Sequence, residues 1–287
     1  MIQPTTQVVS GDYCDLGGEQ FFRISNVQKM NEFFLSIVSA YDHWMFITSR
    51  GALTAGRKNS SKSLFPYYCA DKIIDGASST GSLTIVRIQR PDGQQVHWSP
   101  MVGTATPDAR VSRSLYRNVN GSKIIFEEVN HDLELTYRYS WSFSQRFGFV
   151  RESCLSNNSV LPQSCIVLDG IQNILPAAID PTFQMRFSNL GDAYKKSERF
   201  PRSDLGIYYL SSIPSDRAEP NEGLRANVVW SIGLEDAGLL LSSRQIDEFR
   251  LGNAVRSESD IRGSRGAYFK VAEVGLPAGG EQQWKII

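Results

Sequence analysis

Twelve consecutive residues, 133–144, alternate between apolar and polar side chains without interruption. The apolar positions carry Leu133, Leu135, Tyr137, Tyr139, Trp141 and Phe143, and the intervening positions carry Glu134, Thr136, Arg138, Ser140, Ser142 and Ser144. Because successive side chains of a strand point to opposite faces, this period predicts a strand with one buried and one hydrated face. Such a strand would extend about 40 Å, which is twice the usual length. The segment therefore predicts a large antiparallel sheet rather than a small barrel.

The size and charge of the chain limit the classes of protein to which it can belong. It has 287 residues, of which 41% are hydrophobic and 21% are charged, as is typical of a globular protein with enough apolar material for a core. Thirty basic and thirty acidic residues give a formal net charge of zero. We therefore expect neither nucleic acid nor an anionic membrane surface as a partner.

Residues 1–15 contain neither a basic start nor an apolar run, so they do not resemble a secretory signal. No segment approaches the ~20 consecutive apolar residues that a membrane span requires. The four cysteines follow no metal-binding or redox spacing. They are Cys14, Cys69, Cys154 and Cys165. We expect reduced, mostly buried thiols, a cytoplasmic location, and neither a metal nor a cofactor.

Short runs rich in aromatic and β-branched residues recur along the chain and predict further strands. They span residues 21–26, 33–39, 43–48, 83–89, 95–98, 113–117, 122–130, 150–157, 163–168, 206–213, 226–234, 239–242, 267–274 and 281–287. No linker, repeat or low-complexity tract separates them. The sequence therefore predicts one domain over residues 1–287, mainly β, built as a large antiparallel β-sandwich with a few short helices.

Three other segments carry different predictions. Residues 49–81, rich in Gly, Ser, Lys and Asn, predict a loop whose aromatic centre suggests either a cover over a substrate cleft or a seal at one end of the sandwich. Residues 169–176 predict a turn or a single helical turn that ends at Pro176, in which Asp169 and Asn173 cap or brace the backbone. Residues 188–199 predict a helix that begins with Ser188 as its N-cap.

The chain ends on an apolar strand that contains Trp284. This ending is compatible with two alternatives. The strand is either a terminal strand inserted into the sheet, or the point at which a longer polypeptide continues. Both alternatives stay open at the level of the sequence.

Several short motifs resemble those of a known family. The sequence FGFVRESCLSNN at residues 147–158 follows a long strand, and Asp92-Gly93 precedes HWSP at residues 97–100. RGSRG at 262–266, LPAG at 276–279 and Trp284 follow near the end. Together they are similar to the N-terminal β-sandwich of cellobiose and chitobiose phosphorylase-like enzymes. Residues 51–75 depart from that pattern, which points to a distant branch.

The resemblance implies a galactose-mutarotase-like supersandwich that precedes a catalytic α/α barrel. That barrel is not within this chain. The first functional hypothesis is therefore a carbohydrate-binding or framing module of a glycoside phosphorylase-like or glycoside hydrolase-like protein, which is not catalytic alone. Its expected partners are a saccharide, a downstream α/α-barrel domain and a second copy of the chain. A module that serves only for assembly is a third hypothesis.

The alternative from another class is a free-standing aldose epimerase, or mutarotase. Mutarotation needs an acid and a base on either side of the sugar ring, and such enzymes use histidine with glutamate. His97 and Glu222 would carry these roles here, with His43 as the alternative histidine opposite Glu222.

The candidate saccharide-binding residues combine aromatic rings with charged groups. They are Arg57, Tyr67, Tyr68, Asp71, His97, Trp98, Asp216, Glu219 and Glu222. Other interpretations compete with this one: Trp98 and His97 would pack within the sandwich, and the three carboxylates would lie on a hydrated loop.

Overall fold

The structure of the chain is a computed structural model. It describes residues 8–67, 70–90, 93–102, 110–177, 179–212 and 225–287, with the side chains of these residues except 70, 71, 188 and 189. None of the helices in this part of the chain is long and apolar enough to span a bilayer.

Strands dominate the described residues. In chain order they are β1 (Ser10–Leu16), β2 (Glu19–Ser25), β3 (Phe34–Ile37), β4 (His43–Thr48), β5 (Leu53–Arg57), β6 (Gly81–Gln89), β7 (Gln95–Trp98), β8 (Val111–Asn118), β9 (Ile124–Asn130), β10 (Leu135–Ser144), β11 (Gly148–Asn157), β12 (Gln163–Ile174), β13 (Lys195–Arg199), β14 (Gly206–Leu210), β15 (Asn227–Val229), β16 (Ser231–Ile232), β17 (Gly238–Leu240), β18 (Asp260–Arg262), β19 (Gly266–Leu276) and β20 (Glu281–Ile286). The helices are α1 (Ala70–Asp75), α2 (Pro181–Ala193) and α3 (Ile246–Arg250), and single 3-10 turns lie at Val27–Lys29 and Ser60–Lys62.

The strands form four sheets in which the neighbours pair antiparallel. The sheets have the orders β1-β2-β8-β9-β10-β11-β20-β16, β17-β19-β12-β6-β7, β15-β14-β13-β18 and β3-β4-β5. We call the first the large sheet and the second the five-stranded sheet. The mainly β, antiparallel sandwich predicted from the sequence is confirmed.

The core lies between the large sheet and the five-stranded sheet. Trp141 and Trp284 of the large sheet belong to one hydrophobic cluster with Val167 and Tyr268 of the five-stranded sheet. The two smaller sheets also add side chains to this cluster, for example Met45 from β4. The faces that the strands bury therefore meet in a continuous core.

The long alternating segment is a strand, as predicted, but it begins at Leu135. Its apolar residues Leu135, Tyr137, Tyr139 and Trp141 are buried. The two residues before it belong to the turn from β9. There the Asn130 side chain accepts hydrogen bonds from two backbone N–H groups, and residue 134 has a left-handed φ of 53°.

The turn predicted at 169–176 is wrong, because β12 continues without a break to Ile174. The polar residues that suggested a turn are buried and hydrogen-bonded within the fold. Gln172 Nε2 donates to Ser78 O at 2.9 Å, and Asn173 Nδ2 donates to Thr80 Oγ1 at 2.9 Å. Asn173 has a left-handed φ of 59°, and there the pairing with β19 shifts register between Gln172 and Ile174.

The helix predicted at 188–199 is also wrong in its position. Asp180 is the N-cap of α2, since its carboxylate accepts a hydrogen bond from Phe183 N at 2.7 Å and Pro181 occupies the first turn. The basic stretch 195–199 is strand β13, which pairs with β14 and β18. The N-cap signal that decided the helix start lies eight positions earlier than Ser188.

The segment 49–81 is more ordered than a loop. It contains β5, a 3-10 turn and α1. Phe65 at its centre is fully buried and packs edge-on against Trp141, with ring centroids 6.4 Å apart. At least one aromatic residue of this segment, Phe65, is therefore part of the hydrophobic core.

Candidate functional site

A fully buried ion pair joins the two main sheets. Arg151 of β11 donates from Nη1 to Asp169 Oδ2 at 2.7 Å and from Nη2 to Oδ1 at 2.9 Å, and neither side chain is exposed. The same carboxylate accepts hydrogen bonds from Thr84 Oγ1 at 2.6 Å, Tyr137 OH at 3.0 Å and Trp284 Nε1 at 2.6 Å. Asp169 thus has partners on both sheets.

This environment keeps Asp169 ionised. Burial alone would raise the pKa of Asp169, but the charge of Arg151 and the hydrogen bonds from Arg151, Thr84 and Trp284 outweigh it and hold the pKa below its ordinary value. Because both oxygens already accept several hydrogen bonds, the carboxylate has little capacity left for a ligand. We therefore assign the pair a structural role that fixes one sheet against the other.

A first cleft lies beside this pair, and we call it the tyrosine cleft. Its volume is about 360 Å³. It is lined by Glu32, Arg50, Gly51, Ala52, Ile74, Ala77, Ser78, Ser82, Leu83, Thr84, Pro100, Met101, Val102, Tyr137, Tyr139, Gln172 and Arg250.

The charged residues of the tyrosine cleft are paired within the protein. Arg50 lies 4.0 Å from Glu32, and Arg250 lies 2.9 Å from Asp247. The rings of Tyr137 and Tyr139 are almost completely buried. The tyrosine cleft therefore offers a ligand few uncommitted groups.

A second cleft, which we call the cationic cleft, has a volume of about 320 Å³. It is lined by His43, Gly56, Arg57, Lys62, Leu64, Trp141, Gln145, Arg146, Phe147, Gly148, Phe149, Ile171, Ala226, Asn227, Val228, Val229, Ile286 and Ile287. These residues come from β4, β5 and the segment after it, the β10–β11 turn, β12, β15 and the end of β20.

The local sequence explains how the β10–β11 turn reaches the cationic cleft. Ser144 and Gly148 are register partners, which leaves three residues in the connection. Gly148 has a φ of 80°, a left-handed value that glycine adopts without strain in such hairpins. Arg146 and Phe147 consequently project beyond the end of the sheet and are exposed.

His43 forms part of the aromatic wall of this cleft. Its ring stacks on Phe143 and meets Phe149 edge-on, with centroids 5.7 Å and 5.2 Å away. Burial and the nearby charge of Arg57 lower the pKa of His43, and Asp42 only partly opposes them. The imidazole is therefore neutral near pH 7, and its Nδ1 is buried without a hydrogen-bond partner among the described residues.

Of the residues predicted from the sequence, Arg57 lies in the cationic cleft. Tyr67 is exposed and packs edge-on against Trp44, with centroids 5.7 Å apart. It lines neither cleft. The segment 49–81 contributes residues to the walls of both clefts. Its two predicted roles, a cover over a substrate cleft or a seal at one end of the sandwich, stay predictions.

The side chains of His97 and Trp98 do not lie in one common site. His97 is exposed on β7, whereas Trp98 is buried and donates from Nε1 to Glu128 Oε1 at 2.7 Å. The indole of Trp98 is therefore not available to stack on a sugar ring.

The remaining predicted residues cannot be placed. Tyr68, Asp216, Glu219 and Glu222 lie outside the described residues, and Asp71 lies in α1 with its side chain outside them. The epimerase alternative, which needs His97 or His43 together with Glu222, stays a prediction. Among the residues that are described, no group of three or more His, Cys, Asp or Glu side chains is arranged to hold a metal ion.

Sequence reasoning missed Lys62, Arg146 and Phe147 as site residues. Arg146 and Phe147 lie in a hairpin turn, where an exposed aromatic residue beside a basic one is an available signal. Lys62 carries no such signal, because only the fold brings it to the same cleft.

No family model matches the chain, and no curated protein matches it. Among solved structures, a heparinase III resembles it with 10% sequence identity and a TM-score of 0.31, over 90% of this chain and 34% of that one. A 4-alpha-glucanotransferase from Thermococcus litoralis resembles it with 9% identity and a TM-score of 0.32, over 97% of this chain and 39% of that one. The chain thus spans less than half the length of either. At these TM-scores neither likeness bears on its function, and the galactose-mutarotase-like subclass stays a prediction.

Proposed function

We propose that this chain is a saccharide-binding module that holds its ligand in the cationic cleft and frames it for chemistry performed elsewhere. One observation carries the proposal: the exposed ring of Phe147 lies at a cleft that is also lined by an amide and by cations without an ion pair to a described residue. Sugar-binding sites combine an aromatic face for the apolar side of a pyranose with polar groups for its hydroxyls.

The ring of Phe147 is fixed but accessible. It is 48% exposed, and it meets Trp230 edge-on with centroids 6.0 Å apart. The guanidinium of Arg146 lies 5.2 Å from its centroid. An aromatic ring held in this way loses little conformational entropy when a ligand packs on it.

Polar groups surround the ring at the scale of a small ligand. Gln145 and Arg57 are exposed, and Asn227 is held in place because its Nδ2 donates to Leu175 O at 2.7 Å. The cleft volume of about 320 Å³ falls in the range of small-molecule sites.

The framing role assigns catalysis to another domain. The phosphorylase resemblance implies a downstream α/α barrel, and a reading frame that encodes paired helices beyond Ile287 would support this part of the proposal.

Replacing Phe147 tests the proposal. We expect Phe147→Ala to weaken saccharide binding about tenfold, equivalent to about 1.4 kcal/mol, because the ring supplies the apolar contact. Calorimetric titration with galactose-containing and glucose-containing oligosaccharides measures the affinity of the variant and of the unaltered chain.

Phe34→Ala is the matched control. Phe34 is exposed to a similar extent on β3 and does not line the cationic cleft. Equal affinity of both variants for every bound sugar would contradict the proposal, as would the absence of saccharide binding by the unaltered chain.

A further inference from the structure

We propose that the saccharide held in the cationic cleft is acidic, bearing carboxylate or sulfate groups that pair with Arg57, Lys62 and Arg146. This inference rests on the proposed function and names the class of its ligand.

The three cations are accessible to a ligand and are not neutralised by a described acidic residue. Each is exposed at the cleft, and none has an ion pair with a described residue. The described lining also contains no Asp or Glu side chain. Among the described residues, these three like charges have no counter-charge in the cleft, so they raise the local positive potential and attract anions.

In three other clefts among the described residues, the basic side chains are paired with acidic ones. In the tyrosine cleft, Arg50 and Arg250 are both paired. A smaller cleft beside α2 contains Lys195 and Arg265, and both pair with Asp192.

A shallow cleft on the large sheet shows the same pairing. It contains Arg138 and Lys285, which pair with Glu127 and Glu152 respectively. Because the net charge of the chain is zero, unpaired cations at one cleft reflect its arrangement and not a general excess of basic residues.

The lining of the cationic cleft also includes a hydrogen-bond donor without an acceptor. Trp141 lines the cleft, and its Nε1–H is buried without an acceptor in the described structure. An indole N–H can only donate, so it is complementary to oxygen acceptors. His43 adds no charge of its own there, and Asp42, which partly opposes the fall in its pKa, does not line the cleft.

The chemistry of the cations fits oxyanions on a rigid ring. A guanidinium presents a planar set of donors that matches a carboxylate or sulfate in a bidentate pair, and a lysine adds a point charge. Phe147 beside Arg146 would contact the sugar ring while the guanidinium contacts its acidic substituent. A neutral saccharide would leave all three cations without a counter-charge among the described residues of the cleft.

The test compares two ligands that differ only in charge. The chain is titrated calorimetrically with trigalacturonate and with galactotriose, its neutral carboxyl-reduced counterpart. We expect the acidic trisaccharide to bind at least about tenfold more tightly, because hydrogen bonds to charged groups are stronger than neutral ones. The difference should shrink as NaCl is raised from about 0.05 M to about 0.5 M, because salt screens exposed charges.

Charge-removing variants locate the interaction. Arg57→Gln with Arg146→Gln should remove about tenfold or more of the affinity for trigalacturonate and leave the affinity for galactotriose nearly unchanged. The matched control is Arg186→Gln with Arg256→Gln, since both residues are exposed and lie outside the cationic cleft. The control should bind as the unaltered chain does, and thermal unfolding should be the same for all three proteins.

The outcomes separate the two proposals. If galactotriose binds as tightly as trigalacturonate and Phe147→Ala weakens both, the proposed function stands and the acidic ligand is refuted. If the cleft variant binds trigalacturonate like the control variant, the assignment to these cations is refuted. If inorganic sulfate competes as strongly as trigalacturonate, the cleft recognises charge alone and the acidic saccharide is refuted. If the unaltered chain binds neither of these sugars but binds another neutral galactose-containing or glucose-containing oligosaccharide, the acidic ligand alone is refuted. If it binds no saccharide at all, the proposed function itself fails.

Discussion

At the scale of single residues, the most constrained group in the molecule is the carboxylate of Asp169. Transfer of an ion pair from water to the interior is costly, and it is tolerated when each charge is fully hydrogen-bonded. Asp169 meets this condition through Arg151, Thr84, Tyr137 and Trp284. Burial also raises the pKa of Tyr137, so its hydroxyl remains a donor to the carboxylate at ordinary pH.

Asp169→Asn should lower the free energy of unfolding by about 3–5 kcal/mol at pH 7, because Arg151 would remain buried without a counter-charge. Urea unfolding followed by circular dichroism measures this. Replacing both residues, with Arg151→Met and Asp169→Leu, should be less destabilising than Asp169→Asn. If the double variant is the least stable of the three proteins, the interpretation of the pair is incorrect.

The same variant tests the pH dependence of the pair. The pKa of Asp169 in the folded state lies below its ordinary value, so its contribution is present above the unfolded pKa of about 3.9 and is lost as pH falls through the folded pKa. Stability should therefore fall below about pH 4 more steeply in the unaltered chain than in Asp169→Asn. Parallel curves for the two proteins would contradict this sign.

At the scale of elements, β12 and β19 leave no space for a side chain at Gly170. A Cβ added at Gly170 would lie 2.0 Å from Tyr268 O and 2.8 Å from Phe269 Cα, both of which are backbone atoms. The glycine is thus required by the packing of the two strands, and not by a turn. This explains why a segment with the sequence Asp-Gly is a strand here.

Gly170→Ala should destabilise the protein by about 3 kcal/mol or more, because backbone atoms have to shift to admit the methyl group. Gly275→Ala on β19 is the matched control, since no atom outside its chain neighbours lies within 4 Å of an added Cβ there. Thermal unfolding compares the two variants. Equal melting temperatures would refute the assigned close contact.

The elements also show how far sequence patterns reach. The alternation in β10 predicted the strand and its buried face, because one pleated face packs on the core. The patterns at β12 and β13 misled, because Asp169, Gln172 and Asn173 find their partners on distant segments and Lys195–Arg199 pairs with two other strands. Such long-range pairing leaves no local signal.

At the scale of the whole molecule, all four sheets share one hydrophobic cluster. This cluster, the largest of three among the described residues, couples the four sheets energetically, so we expect residues 1–287 to unfold as one cooperative unit. Denaturant unfolding monitored by tryptophan fluorescence and by far-ultraviolet circular dichroism should give coincident transitions. Two separate transitions would show that the chain contains more than one domain.

The candidate site is where the sequence was least informative. Arg57 was predicted as a site residue, but Lys62, Arg146, Phe147 and Asn227 were not. They come from three stretches that are distant along the chain, and only the closure of the sandwich brings them to one cleft.

The sequence by itself determined the class of the protein and its long strand, because hydrophobic alternation is a local property that burial enforces residue by residue. It also established that the net charge is zero. Only the tertiary structure decided which of the charged side chains form ion pairs. Arg151 forms an ion pair with the buried carboxylate of Asp169, whereas Arg57, Lys62 and Arg146 lie at one cleft without an ion pair to a described residue. The physical reason is that ion pairs and clefts depend on distances between remote segments, which folding alone sets.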